Sequence, residues 1–277
     1  MGDQDDFHQH ITGHENVQIK SAGDTIAAFG DGAIAANGNI TINEGIDPQE
    51  YARLLSEKNR LEEKLHQLSE SQDEEQQKSI AKEAVKIAEV MARNESVNFS
   101  ASKLLQLGNA SKLAGRLEVS EGQYKQALRK FKLEDNIRGE AAALIYIGII
   151  AQLRGDLNEA KRLQNLALNL NKKIGNHFGQ SASLINLGNI EFTLGNLTKS
   201  EQLQLEALAI QQKYGFKQVE SSTLTNLGLI SRKKGERSEA KRLFLQSLAI
   251  DVEIGDKEGE ANSRHTLSRL ALADGDI

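Results

Sequence analysis

His8, His10 and His14 stand close enough in the chain to share a divalent metal through their imidazoles. Such a site needs a fourth donor and hydrogen-bonded outer partners. The surrounding MGDQDDFHQH offers neither, so residues 1–10 read as a polar, disordered tail. The glycines of residues 11–45 (Gly13, Gly23, Gly30, Gly32, Gly38 and Gly45) suggest a phosphate cradle, but the GxxxxGK[ST] pattern is absent and no lysine follows. Carboxylates are plentiful, yet they recur at i,i+4 spacing to Lys and Arg, as on solvated helix faces. With no cysteine, thiol nucleophiles, disulfides and thiolate metal sites are excluded. Neither HExxH nor GxSxG occurs, and no His/Asp/Ser set gathers in a plausible cleft. The chain is read as non-enzymatic, without cofactor or metal.

The elements that would have to position any recognition site repeat. Gly188 has Gly108, Gly148 and Gly228 in register forty residues apart; Gly195 has Gly115, Gly155 and Gly235; Ala207 has Ala127, Ala167 and Ser247. A fixed period of this length signals stacked units whose core grows linearly. Four units are expected at 99–138, 139–178, 179–218 and 219–258, with a partial one at 259–277, each a helix A followed by a helix B. Gly155-Asp156 and Gly195-Asn196 make the turns inside a unit, and Gly175, Gly215 and Gly255 end the B helices, where left-handed backbone suits glycine. The first unit departs, with Lys130 and Asp135 where its siblings carry apolar residues and glycine. An array that stops on an A helix leaves a seam open, so either something else caps it or the natural protein is longer. Proline is confined to Pro48, which favours long unbroken helices.

The region before the array changes character. Residues 11–45 hold short apolar pieces cut by glycine, with Ile26, Ile34 and Ile42 eight apart; four short strands with glycine turns are expected. So small a β segment cannot stand alone, so it either docks on the helices or packs with other copies. Asp47-Pro48 opens a helix over 47–72, aspartate as N-cap and proline in the first turn. Leu54, Leu61 and Leu68 at d, with Tyr51, Lys58 and Leu65 at a, form a three-heptad seam. That seam is either a coiled coil between copies, using Leu54, Leu61, Leu65 and Leu68, or an amphipathic helix packed on the array. Residues 73–98 read as a capping helix striped by Ile80, Ala84, Ile87 and Met91.

The net charge of −5 argues against nucleic acid as the main partner. The N-terminus lacks the apolar stretch of a signal peptide, and no run of about eighteen apolar residues would span a bilayer. A cytoplasmic protein without a membrane partner is expected.

The repeating residues resemble tetratricopeptide repeats. The third unit reads Leu184, Leu187-Gly188, Gly195, Ser200 and Ala207; the second Leu144, Ile147-Gly148, Gly155, Ala160 and Ala167; the fourth Leu224, Leu227-Gly228, Gly235, Ala240 and Ser247. The common form has about 34 residues per repeat; forty is similar to the longer branch of kinesin light chains and bacterial signalling proteins. The resemblance implies an all-α, right-handed superhelical solenoid whose A helices line a groove for peptides or helices of a protein partner. It also implies an asparagine before the L-G pair that grips a bound backbone, a place taken by Asn186 and Asn226. A carboxamide supplies donor and acceptor to an extended peptide, although a polar residue on helix A is also simply solvated. Tyr146, Ile149, Asn189, Phe192, Arg232 and Lys233 are the neighbouring groove candidates. Lysine–asparagine pairs that would clamp an acidic chain terminus are missing. The basic run SRKKGERSEAKR (231–242) is either solvated surface or a patch for an acidic partner. Two roles follow, a groove-bearing interaction module and a scaffold of a bacterial signalling or defence assembly in which residues 11–70 make a homo-oligomer. Displaying several arrays would raise avidity without new contacts.

Overall fold

The computed structural model describes residues 40–42, 47–71 and 73–274. Ile26, Ile34 and the three N-terminal histidines lie outside the described residues. From Ala101 onward the chain is a run of antiparallel helix pairs: α3 (Ala101–Leu113) with α4 (Leu117–Leu133), α5 (Ile137–Leu153) with α6 (Leu157–Lys173), α7 (His177–Thr193) with α8 (Leu197–Tyr214), and α9 (Lys217–Lys234) with α10 (Arg237–Glu253), followed by α11 (Lys257–Asp274). Each helix packs on the next, and the first helices of successive pairs also touch one another, α3 on α5, α5 on α7, α7 on α9 and α9 on α11. The A helices therefore line the inside of the curve. Within the array the main contacts of the described residues run between adjacent helices and adjacent pairs, as in a solenoid.

Two registers of side chains set the spacing of these helices. Where the A helices carry Gly108, Gly148, Gly188 and Gly228, a Cβ would meet Tyr124, Gln164, Gln204 and Phe244 of the paired B helix at 2.3, 2.7, 2.7 and 2.4 Å. The glycine is required because the B helix delivers a large side chain against it. Beside it, Ser120 and Ser200 each donate a hydroxyl hydrogen bond of 2.8 Å to the carbonyl of Gly108 and Gly188; Ala160 and Ala240 fill the same buried register without a bond. The turns closing the B helices use left-handed backbone at Gly175, Gly215 and Gly255, and Asp135 adopts the same conformation at φ 51°.

The N-terminal pieces pack onto this array. α1 (Pro48–Glu70) starts as its sequence dictates, the Asp47 carboxylate accepting from the Gln49 and Glu50 amides at 2.9 and 3.2 Å. α2 (Glu74–Ala92) lies antiparallel to it and against α3. Leu54 and Leu61 are buried; Leu65 and Leu68 are partly buried against Ala81, Val85 and Ala110. The seam leucines thus face this chain's own helices. β1 (Ile40–Ile42) pairs antiparallel with β2 (Val97–Phe99), Ile40 opposite Phe99 and Ile42 opposite Val97. Ile40 and Phe99 join Leu61, Met91 and Leu104 in the main core. The range 73–98 is therefore not one helix: α2 stops at Ala92 and the chain turns into a strand. Its partner strand lies more than fifty residues upstream, beyond the reach of any local pattern.

Candidate functional site

The A helices that form the inner face are unusually enclosed. Every residue from 141 to 150 of α5 is buried, and so is every residue from 179 to 188 of α7. The sequence explains α5, which is apolar all round. On α7 the same enclosure takes in Ser181, Ser183, Asn186 and Glu191, which need partners once removed from water.

Ser181 and Ser183 donate to the Phe178 and Gly179 carbonyls of their own helix, each at 2.9 Å, and Glu191 is held by Lys161 and Asn196. Asn186 belongs to a triplet repeated at each junction between units, made of a residue late in one A helix, one from its own B helix, and one from the middle of the next A helix. At the first junction Tyr124 donates to Asn109 Oδ1 at 2.6 Å and its ring stacks on Tyr146, centroids 5.0 Å apart. Burial pushes the Tyr146 phenol up to about 12, so it stays neutral and serves as packing. At the third junction Gln204 Nε2 and Asn226 Nδ2 both donate to Asn189 Oδ1, at 2.9 and 3.4 Å. At the fourth, Leu229 packs against Phe244 in an apolar cluster.

The second junction is different. Its triplet is Ile149, Gln164 and Asn186, so an isoleucine stands where the next junction has its accepting asparagine. Gln164 Nε2 donates to the Ile145 carbonyl at 3.0 Å, as Gln204 does to Ile185 at 3.3 Å. Gln164 Oε1 and Asn186 Nδ2 have no hydrogen-bond partner among the described residues, and their residues are 0% and 3% exposed. Gln204 Oε1 shares the first of these conditions at its own junction; the unpaired amide hydrogens of Asn186 belong to the second junction alone.

Toward the ends of the A helices the inner face opens. Phe192 is half-buried and Lys233 Nζ sits 4.6 Å from its ring centroid, while Arg232 and Lys233 are exposed. The rest of the basic run is partly used inside the chain, Lys234 pairing with Glu201 and Arg242 with Glu239. Behind α7, Glu191 is 1% exposed. Burial works to raise its carboxyl, but the Lys161 ammonium at 2.6 Å and the Asn196 amide at 2.7 Å outweigh burial and hold it below the usual carboxylate range.

The eight residues marked in the sequence thus separate. Tyr146, Asn189 and Asn226 are bound to neighbours; Ile149 fills a space; Asn186 has an unspent donor; Phe192, Arg232 and Lys233 present an aromatic face and two cations. Sequence reasoning missed Tyr124, Gln164, Gln204 and Phe244, although their forty-residue register opposite the repeated glycine was there to be read. It also missed the ring cluster at one edge, where His177 stacks on Tyr214 at 4.1 Å and Phe178 meets Phe216 edge-on at 5.3 Å. No helix among the described residues is long and apolar enough to cross a membrane.

Helix pairs of this length, nested through a glycine on helix A and a small residue on helix B, define a repeat solenoid. Tetratricopeptide-repeat family models match residues 139–213 and 221–250, and the chain is a tetratricopeptide-repeat protein. No curated protein matches its sequence. Among solved structures it is similar to BtubC (BKLC) from P. vanneervenii, at 18% identity and TM-score 0.56 over 78% of this chain and 85% of that one. It is also similar to a Rap protein complexed with competence and sporulation factor, at 15% identity and TM-score 0.61 over 84% of this chain and 62% of that one. A putative kinesin light chain from Podosopora anserina aligns at 16% identity and TM-score 0.50, covering 77% of this chain and all of the other. At such identities the likeness is one of fold.

Proposed function

We propose that the array is a non-enzymatic interaction module whose inner face binds a peptide or helix of another protein. The supporting observation is the Asn186 amide, buried on the inner helix layer with a donor that no group among the described residues accepts. A buried unmade hydrogen bond costs about 1–3 kcal/mol, and a bound peptide carbonyl would remove that cost. Asn186, Phe192, Arg232 and Lys233 make the contacts; Tyr146, Ile149, Asn189 and Asn226 form the floor that holds them in place. The Rap structure, solved with competence and sporulation factor, is a precedent for this architecture holding a ligand. Nucleic acid and membrane are not the partners: the overall charge is −5 and the cationic pair is local. Peptides selected against the full chain from a random display library test the assignment. Replacing Asn186 and Asn226 by Ala should weaken such peptides about tenfold or more, and Lys241→Ala on the outer helix α10 should leave them unchanged. Equal affinity in the asparagine double variant refutes the groove.

Self-association is a second reading, now carried by a different face. Tyr51 and Leu55, one turn apart on α1, are 41% and 38% exposed, and such a pair forms one patch. Residues 11–70 would then build a scaffold that displays several grooves, as in a cytoplasmic signalling or defence assembly. Light scattering on the full chain decides: a monomeric mass at every concentration ends this reading and leaves the groove untouched.

A further inference from the structure

We infer that the outer face of α10 docks a second copy of this chain, the two α10 helices lying antiparallel. Leu245, Ala249 and Val252 follow at spacings of four and three residues, so they form one stripe. All three face away from the array, with Leu245 and Val252 47% and 53% exposed. A single exposed leucine would need no explanation. The earlier units, however, show what a solvated outer helix carries at these places. On α4 they are Lys125, Arg129 and Lys132; on α6 they are Asn165, Asn169 and Lys172, all exposed. The same positions then turn apolar, first to Leu205 and Ala209 on α8 and then to the full stripe on α10. Packing of the array does not demand this, since the first two units are built without it. An apolar stripe left on the surface marks a contact site.

The charges at the two ends of the stripe select its occupant. Lys241 and Arg242 precede Leu245 by about one turn, and Glu253 directly follows Val252. Glu253 is the last residue of α10, where the helix dipole favours a cation. Among the described residues its ion-pair partner is Lys217, at a loose 3.9 Å. A second α10 laid antiparallel brings its own basic end to Glu253, and by symmetry the first helix returns the same contact. Leu245 then lies over the partner's Ala249, a large side chain against a small one. A parallel arrangement would set like charges together, which is costly. A two-fold contact has to be self-complementary, and a surface that runs from basic through apolar to acidic meets that condition when its copy is reversed. One helix pair is smaller than a standard interface, so the dimer forms with rising concentration. It joins outer faces and leaves the inner face of each copy open, so it is independent of the groove.

Sedimentation velocity of the full chain over a range of concentrations provides the test. The mass should rise toward that of two chains. Leu245→Glu should raise the dissociation constant about tenfold or more and, at an exposed position, leave the melting curve of the dilute protein unchanged. Arg242→Glu and Glu253→Arg should each weaken the dimer severalfold. The two together should restore it, a rescue that loss of structure cannot mimic. Tyr51→Glu on α1 should leave the dimer intact. A chain that stays monomeric at every concentration overturns the α10 contact. So does association that survives Leu245→Glu, that yields to Tyr51→Glu instead, or that the paired charge exchange fails to restore.

Discussion

The backbone of Gly228 lies so close to the Phe244 ring that a Cβ there would stand 2.4 Å from Cε1, whereas one at Gly188 would stand 2.7 Å from the amide nitrogen of Gln204. The two glycines occupy equivalent places but face different obstacles. Gln204 ends in a flexible amide that can turn; Phe244 is a rigid ring enclosed by Ala240, Leu229 and Leu270. Gly228→Ala should therefore destabilise the array by about 1–3 kcal/mol, the usual cost of overpacking, and Gly188→Ala by less. Urea denaturation of both variants checks the order. An equal loss, or a larger one at Gly188, would mean that the ring moves more freely than its enclosure implies.

Asp135 gives the converse case. It holds the left-handed turn at φ 51° that Gly175, Gly215 and Gly255 hold in the later units. Left-handed backbone costs a non-glycine residue roughly 1–2 kcal/mol, somewhat less for aspartate. Asp135→Gly should stabilise the protein by about 1 kcal/mol, and Gly175→Ala should destabilise it by a similar amount, both read as shifts of the denaturation midpoint.

Asn186 and Asn226 occupy the same register and should respond in opposite directions. Asn226 donates to Asn189, so Asn226→Leu removes a made bond and should lower the melting temperature. Asn186 Nδ2 is buried and unpaired, so Asn186→Leu removes an unsatisfied group and should raise it. If Asn186→Leu weakens peptide binding while stability climbs, the asparagine is kept at a cost to folding for the sake of a ligand.

The buried Glu191 makes the acid limb of the stability curve specific. Burial opposes its ionisation, yet Lys161 and Asn196 outweigh burial and hold the carboxyl below its ordinary value of 4.5. A depressed folded value means that the stabilisation is fully present above about pH 4.5, the unfolded value, and is lost as pH falls through the lower folded value. Glu191→Gln should lower stability at neutral pH and flatten the slope below about pH 4.5. Thermal melts across that range measure both, and a variant that keeps the full acid slope would place its origin elsewhere.

These cases show why some of the molecule was legible in its sequence. The turn at Gly175 and the N-cap at Asp47 are demands of a few adjacent residues, so type and spacing report them directly. The repeat pairs Gly108 with Tyr124 and Gly188 with Gln204 at one fixed separation, so helix pairs in a solenoid could be read from the period. The unpaired donor of Asn186 could not. It exists because position 149 is isoleucine, and that matters only once the neighbouring junction shows what an asparagine there would accept. The α1 seam was ambiguous for a related reason: leucines at Leu54, Leu61, Leu65 and Leu68 declare an apolar stripe without saying whose surface covers it.

The short pairing of β1 with β2 has a mechanical consequence. The first turn of α1 is tied to the stretch just before β2, Asn94 donating to Glu50 Oε1 at 2.9 Å, and Ile40 is clasped to Phe99, one residue before the cap of α3. A pull on Ile40 therefore reaches the array at the base of its first repeat, through Phe99 and α3.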